Sequence, residues 1–396
     1  MARIVVQCLE GVDPPVVVGV SGDAATLREA SDGLPEGDAT PEAIAVRVRR
    51  AGGELVWGEP KQPNGRAALL RLCRARGASS IALIRTDPSL LPELQLGSWF
   101  HTRVFRRLIL RTVLGARLPP TFLRTQAADA AFWSGVRSVA TAHEWHRLTR
   151  SSYVVLYYHR IAGERKPSQD RIDLSPDRFE RHMRWLRRLR LRPLGVDELL
   201  AFHTDPQATL PPRSVLLSAD DGFRDALLAL RPHVDLRPVV FVTTAAVGGG
   251  APWDWADGEP IASWSELQEL VSGGGEVASH ARTHAPLPEL DARAIAAELT
   301  ESWQDLQEHV SRPAPLLAYP HGRNDEAVRA ATAAAGYRAA FSTEAGRNGA
   351  GTDRYGLRRV GPKDWDGDAA FVWKVLTGEP VPWSIERLRL RLRGLR

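Results

Sequence analysis

The sequence predicts an α/β protein in which a small α/β N-terminal domain and a helical connector precede an irregular (β/α)7-type barrel. Short apolar runs alternate with helix-length stretches in both parts of the chain, as in folds built around parallel sheets. Seven or so such repeats fill roughly 200 residues from residue 153 onward, which is typical of a barrel. Polar residues that suit catalysis follow several of the predicted strands, where a barrel would gather them on one face.

Composition limits the classes of protein that the chain can belong to. With 43% hydrophobic and 25% charged residues among 396, it resembles soluble globular proteins of more than one domain. The basic residues behind the net charge of +5 are almost all arginine, and this charge alone says little about a partner. We expect no nucleic acid partner. No window of roughly 18 residues is uninterruptedly apolar, and the N-terminus lacks a signal peptide's long apolar segment, so we expect a cytoplasmic protein. Cys8 and Cys73 fall in different predicted elements, which argues against a disulfide-based fold.

We expect four segments: a small α/β domain of unassigned role (1–95), a basic helical connector (96–150), the barrel (151–362) and a basic C-terminal tail (363–396). In the first, strands at "RIVVQCLEG", "PVVVGVSG" and "SSIALIRTD" with helices around 41–51 and 65–77 predict a parallel sheet. The stretch "GVSGDAATLREA" lacks the full glycine spacing of a nucleotide site, so a plain strand–turn–helix is favoured.

Residues 98–118, "SWFHTRVFRRLILRTVLGARL", combine apolar residues at helical spacing with arginines and no acidic residue. This pattern is typical of a basic helix at a membrane surface, here the inner membrane face, although a connecting helix that packs on a domain is the favoured reading. A further helix is expected over 128–148. The final "WSIERLRLRLRGLR" is compatible with a helix, an edge strand or disorder.

The barrel segment begins with a predicted strand, "SYVVLYYHRI", and a helix capped by Ser175 or Asp177, followed by a second helix from Val196. Further strands are predicted at 214–219, 238–244, 275–279, 315–319 and 338–342. Helices are predicted at 224–231, 263–272, 291–309 and 324–335.

Two histidines and two aspartates indicate a metal-dependent site. His280 and His284 are four residues apart, so one turn can direct both imidazoles at a single ion. Asp220 and Asp221 end a buried strand, where one carboxylate could bind the cation while the other acts as general base. Taken alone, "DDG" is better explained as a turn that caps the following helix. Together with two histidines at ligand spacing and His159 at the end of another strand, it favours a site.

The motifs "LLSADDGF", "SHARTH" and "AYPHGRND", in this order, resemble the polysaccharide deacetylases, whose barrel is called the NodB homology domain (carbohydrate esterase family 4). "YYHRI", "FERHMRWLRRL", "WSELQEL" and "GYRAAFST" are closest to the branch that removes N-acetyl groups from biofilm poly-N-acetylglucosamine. The resemblance covers about half of the chain, residues 153–361. It implies a deacetylase barrel and a hydrolase acting on the N-acyl amide of an amino sugar.

The resemblance also implies roles for individual residues. Asp220 would be the catalytic base, and Asp221, His280 and His284 would hold a divalent metal, Zn²⁺ first and Co²⁺ or Ni²⁺ as alternatives. His159 would be the general acid, since no histidine follows His321 and the first strand of a barrel neighbours the last. The catalytic set also includes His321 and Arg359, and the substrate contacts are Tyr319, Pro320, Gly322 and Trp264.

The chain departs from the family pattern in three places. Ser218 and Ala219 replace the usual Thr-Phe before the aspartates, and His321 replaces a tyrosine. Ala318 stands where an arginine that orients the base is expected, so Arg358 or Arg359 is the predicted substitute. The expected partner is an N-acetylated amino-sugar polymer or glycoconjugate. The alternatives are a lipid- or nucleotide-linked amino sugar for the same fold, or an inactive carbohydrate-binding homologue.

Overall fold

The computed structural model describes residues 66–100, 127–163, 173–253, 256 and 258–381, together with three strands nearer the N-terminus. The chain divides into two compact units, Met1–Arg150 and Ser151–Arg396. Across the described ranges, no helix has both the length and the apolar character needed to cross a bilayer.

The sheet of the first unit is mixed. Its strands are β1 Arg3–Cys8, β2 Val17–Gly22 and β3 Glu54–Trp57, in the order β2-β1-β3. β1 is parallel to β3 but antiparallel to β2. The prediction of a parallel sheet is therefore wrong for the β1–β2 pair. Only residues 9–16 connect these strands, and a parallel crossover needs about a dozen residues or more.

Three helices complete the described part of the first unit: α1 Arg66–Thr86, α2 Ala127–Val139 and α3 Ala142–Thr149. The helix predicted over 128–148 is thus two helices. Thr141 caps the second one, because its hydroxyl accepts the Glu144 backbone N–H while the Glu144 carboxylate accepts the Thr141 N–H.

The strand predicted at "SSIALIRTD" is wrong, because these residues form the C-terminal half of α1. A short apolar run fits a buried strand and a buried helix equally well, so packing decides. Here α1 and α2 approach so closely that a Cβ on Gly77 would lie 2.0 Å from the Phe132 carbonyl oxygen. On Gly135 it would lie 1.9 Å from the Arg74 carbonyl oxygen. These two glycines allow the helices to pack closely along their length.

Several predictions lie outside the described residues. They are the helix around 41–51, the turn after β2, the tail "WSIERLRLRLRGLR" and most of the basic segment 98–118. Of that segment, the described Trp99 and Phe100 end a 3₁₀ helix, Gln95–Phe100. Contact of this segment with a membrane stays a prediction.

The second unit alternates strands and helices as predicted. Its strands are β4 Ser152–Tyr158, β5 Arg192–Pro193, β6 Ser214–Ala219, β7 Val239–Val242, β8 Glu276–Ser279, β9 Leu316–Ala318, β10 Ala339–Phe341 and β11 Asn348–Gly349. Its helices are α4 Pro176–Arg188, α5 Val196–Thr204, α6 Arg224–Leu230, α7 Trp264–Ser272, α8 Ala292–His309, α9 Glu326–Ala334 and α10 Asp368–Thr377. Ser175 is the residue before α4, and α10 lies within the segment that the sequence assigned to a basic tail.

Main-chain pairing curls this sheet into a barrel and confirms the predicted fold class. The strand order is β10-β9-β8-β7-β6-β4-β11, with β5 beside β6, and β11 alone is antiparallel to its neighbour. The segment 357–360 joins the two ends of the parallel series. Leu357 pairs with Phe341 of β10, and Val360 pairs with Leu156 of β4. The first and last parallel strands are therefore connected through this short segment.

Side chains alternate between the two faces of the strands. On β4, Val154, Leu156 and Tyr158 pack in an apolar cluster with Phe179 of α4, between sheet and helices. The intervening Tyr157 contacts Arg359, which is fully buried. Because of this alternation, the Tyr157 side chain points to the face of β4 opposite the helices.

Candidate active site

The residues singled out in the sequence follow the carboxyl ends of parallel strands. Asp220 and Asp221 come directly after β6, His280 after β8 and His159 after β4. Because these strands run in one direction, their ends lie on the same face of the barrel. The structure thus collects on that face the groups that the sequence proposed for one site.

Asp221, His280 and His284 form a buried cluster whose potential ligand atoms all lie within 4.8 Å of one another. The Nε2 atoms of both histidines are 3.3 Å from Asp221 Oδ1. His280 Nδ1 donates a hydrogen bond to the Ala318 carbonyl oxygen at 2.7 Å, so that in the neutral ring Nε2 carries the lone pair that could bind a metal. Burial would raise the pKa of Asp221, but the two imidazoles outweigh it and hold that pKa well below its usual range.

This cluster fits a divalent cation. Both carboxylate oxygens of Asp221 are buried and have no hydrogen-bond partner among the described residues. An ionised carboxylate in that position is costly unless a positive charge offsets it. Two imidazole nitrogens and one carboxylate are a common ligand set for a catalytic metal with an open coordination position. The residues Asp221, His280 and His284 are thus able to hold such an ion.

The backbone around the cluster adopts conformations that most residues avoid. Asp221 has φ 70° and His284 has φ 69°, both in the left-handed region. Gly222 follows with φ 84°, and a Cβ there would lie 2.6 Å from Val242 Cγ2. Such strained residues persist where the surrounding structure determines them, and they concentrate at functional sites.

Asp220 is held by a buried arginine. Arg359 Nη1 donates to Asp220 Oδ1 at 2.7 Å, and both side chains are almost fully buried. Arg359 Nε donates to the Ser342 carbonyl oxygen at 2.9 Å, and the guanidinium lies 4.6 Å from the Tyr157 ring centroid. Arg359 belongs to the segment that closes the barrel, so closure and orientation of the carboxylate are coupled. Of the two candidates for the missing arginine, it is Arg359 that contacts Asp220.

Arg358 has a different environment. Its side chain donates to the Ala345 carbonyl oxygen and pairs with Glu344 at 3.3 Å. Neighbouring residues of an extended segment point to opposite sides, which is why only one of the two arginines reaches the site. Ala318, where the arginine was expected, contributes its backbone carbonyl to His280 instead.

His159 is half-buried at the end of β4, with its ring 5.7 Å from that of Tyr157. Burial lowers the pKa of His159, while the charges of Asp221 and Asp220 act in the opposite direction. The assignment of His159 as general acid stays a prediction.

The predicted residues after β9 occupy different environments. The Tyr319 side chain is fully buried, and its hydroxyl donates to the Tyr355 carbonyl oxygen at 2.9 Å, so it lies in the core. Pro320 is buried, whereas His321 is exposed and its ring lies 4.7 Å from that of His284. His321 is therefore the side chain of this turn that borders the candidate metal cluster.

The two remaining residues predicted to contact substrate are Gly322 and Trp264. Gly322 has φ 71°, and a Cβ there would lie 2.1 Å from Thr343 Oγ1. Trp264 stacks on His309 of α8 with ring centroids 4.5 Å apart, and its role as a substrate contact stays a prediction.

Sequence reasoning missed Trp253. Its ring stacks on His284 at 4.6 Å between centroids, and its side chain is half-buried. His284 therefore has aromatic neighbours on two sides, Trp253 and His321. Trp253 lies in a stretch between β7 and α7 with no motif or periodicity, so the sequence offered no signal for it.

The parallel barrel gathers carboxylates and imidazoles at its strand ends, a set of groups suited to metal-dependent hydrolysis. Residues 207–340 match the model of the polysaccharide deacetylase family, so this part of the chain is a polysaccharide deacetylase domain, a hydrolase that acts on amide bonds. The match confirms the resemblance drawn from the sequence motifs. No curated protein matches the chain.

Several solved structures are similar to this one. A polysaccharide deacetylase from Bacillus cereus is 23% identical, with a TM-score of 0.48 over 57% of this chain and 69% of that chain. IcaB from Ammonifex degensii is 22% identical, with a TM-score of 0.48 over 57% of this chain and 96% of that one. The deacetylase PplD from Streptococcus pyogenes, solved with acetate, is 18% identical, with a TM-score of 0.49 over 58% and 99%.

Proposed function

We propose that the protein hydrolyses the N-acetyl amide of an amino sugar in a polysaccharide or glycoconjugate, with a divalent metal, Zn²⁺ in the first place, and releases acetate. The observation that carries the proposal is the pairing of two adjacent carboxylates with different partners. Asp221 faces His280 and His284, whereas Asp220 faces Arg359. One carboxylate is thus available to a cation and the other is kept free for proton transfer.

Asp221, His280 and His284 would hold the metal, which when bound supplies Lewis acidity toward the acyl carbonyl and lowers the pKa of the attacking water. Asp220 takes the proton of that water as general base. Arg359 fixes the orientation of Asp220 through the 2.7 Å hydrogen bond to Oδ1, leaving Oδ2 for the proton.

The tetrahedral oxyanion needs a hydrogen-bond donor, and we assign it to the backbone N–H of His321. Pro320 has no N–H, and Tyr319 donates its N–H to a carbonyl of β10 at 3.0 Å. The N–H groups of Gly322 and Arg323 donate within the turn at 2.8 and 3.2 Å. The left-handed φ of 57° at His321 gives this peptide a direction different from that of its neighbours.

His159 donates a proton to the departing amine nitrogen. It lies at the end of β4, next to the segment that carries Arg359, and so on the same face as Asp220. Its half-buried position limits access of bulk water to the ring, which favours transfer to the leaving group over exchange with solvent.

The adjacent aspartates provide matched variants for the test. Asp220→Asn is expected to lower amine release from an acetylated chito-oligosaccharide by about 10²–10⁴-fold while metal content stays stoichiometric. Asp221→Ala, His280→Ala and His284→Ala are each expected to lose metal in elemental analysis. Full activity in Asp220→Asn would reject the base, and stoichiometric metal in the other three would reject the ligand set.

A further inference from the structure

The loop between His280 and His284 is tied to helix α8 by one buried carboxylate. Glu298 Oε2 accepts the backbone N–H groups of Arg282 and Thr283, each at 2.9 Å. Glu298 Oε1 accepts the Thr283 hydroxyl at 2.5 Å. A single side chain therefore receives three hydrogen bonds from the residues that separate the two imidazoles.

The same face of α8 also holds the start of this loop. Ser302, one turn after Glu298, shares a 2.5 Å hydrogen bond with Ser279, the last residue of β8. The Ser279 hydroxyl in turn accepts the Ala281 backbone N–H at 3.0 Å. The helix is thus connected to the backbone on both sides of His280.

The loop needs such support because its backbone is strained. Ala281 and His284 have φ of 61° and 69°, in a region that costs residues with a side chain free energy. Without external hydrogen bonds, the loop would relax toward ordinary conformations, and the separation of the two Nε2 atoms would change. Glu298 provides bonds that exist only when the loop has the observed shape.

We propose that Glu298 is a positioning residue for the metal centre: by fixing the loop between His280 and His284, it sets the affinity and the coordination geometry of the bound cation. The proposal rests on the proposed function in taking these two histidines as metal ligands. Glu298 touches neither the cluster nor the substrate in this scheme, and it acts only through the loop.

Substitutions at Glu298 separate the effect of the length of its side chain from the effect of its charge. Glu298→Gln keeps the length and can match all three bonds, since its carbonyl oxygen accepts both N–H groups and its amide donates to Thr283. Glu298→Asp keeps the charge but is too short to reach the loop. We expect Zn²⁺ affinity near wild type in Glu298→Gln, and a loss of about 10–100-fold in Glu298→Asp and Glu298→Ala.

Glu301 is the matched control. It lies on the same helix, three residues from Glu298, and pairs with the Arg282 side chain without contacting the loop backbone. Its side chain is half exposed to solvent. Glu301→Ala removes an equal charge from the same helix, and we expect no change in Zn²⁺ affinity.

The measurement is a competition titration of metal-free full-length protein with Zn²⁺ and a chromophoric chelator, with Co²⁺ absorption as a readout of ligand geometry. Unfolding of each variant in chelator gives the stability of the metal-free fold separately. A weakened Zn²⁺ affinity and an altered Co²⁺ spectrum in Glu298→Asp, but not in Glu298→Gln or Glu301→Ala, would support the proposal. If Glu298→Ala does not fold, Thr283→Ala removes one of the three bonds and should weaken Zn²⁺ binding to a smaller degree.

The possible failures are distinguishable. Wild-type protein that binds neither Zn²⁺ nor Co²⁺ would overturn the proposed function and the positioning role together. Wild-type affinity in Glu298→Asp would overturn the positioning role alone. Equal weakening in Glu298→Gln and Glu298→Asp would also overturn it, because a side chain that reaches the loop would then support the metal site no better than one that is too short.

Discussion

Replacing Arg359 with methionine tests whether the buried ion pair with Asp220 stabilises the second unit as well as orienting the base. Methionine keeps much of the length and volume of the arginine but removes its charge and its donors. The change leaves the Asp220 carboxylate buried without its cation partner, and leaves the Ser342 carbonyl without the Nε donor at 2.9 Å.

The expected loss of stability follows from the burial of the pair. The side chains are 0% and 2% exposed, and the contact is a single 2.7 Å charge-assisted hydrogen bond. Removing one partner of a buried pair typically costs about 3–5 kcal/mol, because the remaining charge is left uncompensated. We expect Arg359→Met to lower the free energy of unfolding by that amount, in addition to impairing amide hydrolysis.

Urea denaturation of the full chain, followed by tryptophan fluorescence, measures this effect. Asp220→Asn and the double variant Arg359→Met/Asp220→Asn complete a double-mutant cycle, in which the neutral asparagine removes the orphaned charge. A coupling energy of about 1–3 kcal/mol is expected for residues in direct contact. Two results together would refute the reasoning. Arg359→Met would lower the free energy of unfolding by less than about 1 kcal/mol, as for a solvent-exposed pair, and the effects would be additive in the double variant.

Three further outcomes are expected. Burial lowers the pKa of His182 to about 3, below its ordinary value of 6.5, so the stability that the neutral ring provides is full above pH 6.5 and is lost as the pH falls toward 3. The free energy of unfolding changes by roughly 1.4 kcal/mol for each pH unit in which only the unfolded chain binds the proton, so it should fall by about 2 kcal/mol between pH 7 and pH 5. His182→Leu should lose this pH dependence. Urea titrations in which the variant keeps the same pH dependence would contradict the expectation. Gly322→Ala should lower the free energy of unfolding by roughly 1–2 kcal/mol, because residue 322 has a positive φ and the added Cβ would contact Thr343. A wild-type melting temperature in this variant would disprove the strain. His159→Gln should lower amine release by about 10²–10⁴-fold with metal content unchanged, and wild-type turnover would exclude His159 as the acid.

The barrel could be predicted from the sequence because its buried strands are short apolar runs bounded by polar loops. From residue 214 onward, the predicted strands and helices coincide with the observed ones to within two residues at either end. The first unit gave less information. "SSIALIRTD" satisfies the pattern of a strand, and only its packing partner, the helix containing Gly135, makes it a helix. That partner lies too far along the chain for any local pattern to indicate it.

The site shows the same division between local and distant information. Asp221, His280 and His284 could be proposed because spacing and motif identify them, and the structure places their ligand atoms together. Trp253, which stacks on His284, and Glu298, which binds the loop before His284, could not be found, since each lies in an element that has no motif of its own. For such residues, the sequence holds no signal short of the complete fold.

The distance along the chain between Asp220 and Arg359, 139 residues, has a consequence for synthesis of the protein. At about 5–20 residues per second, the ribosome adds the arginine roughly 7–28 s after the aspartate. In the later part of that interval, once residue 284 has been added, the nascent chain contains Asp221, His280 and His284, but neither the segment that closes the barrel nor the Arg359 guanidinium that contacts Asp220. A chain released between residues 284 and 357 would therefore carry the three proposed metal ligands and still lack the arginine that we propose to orient the base.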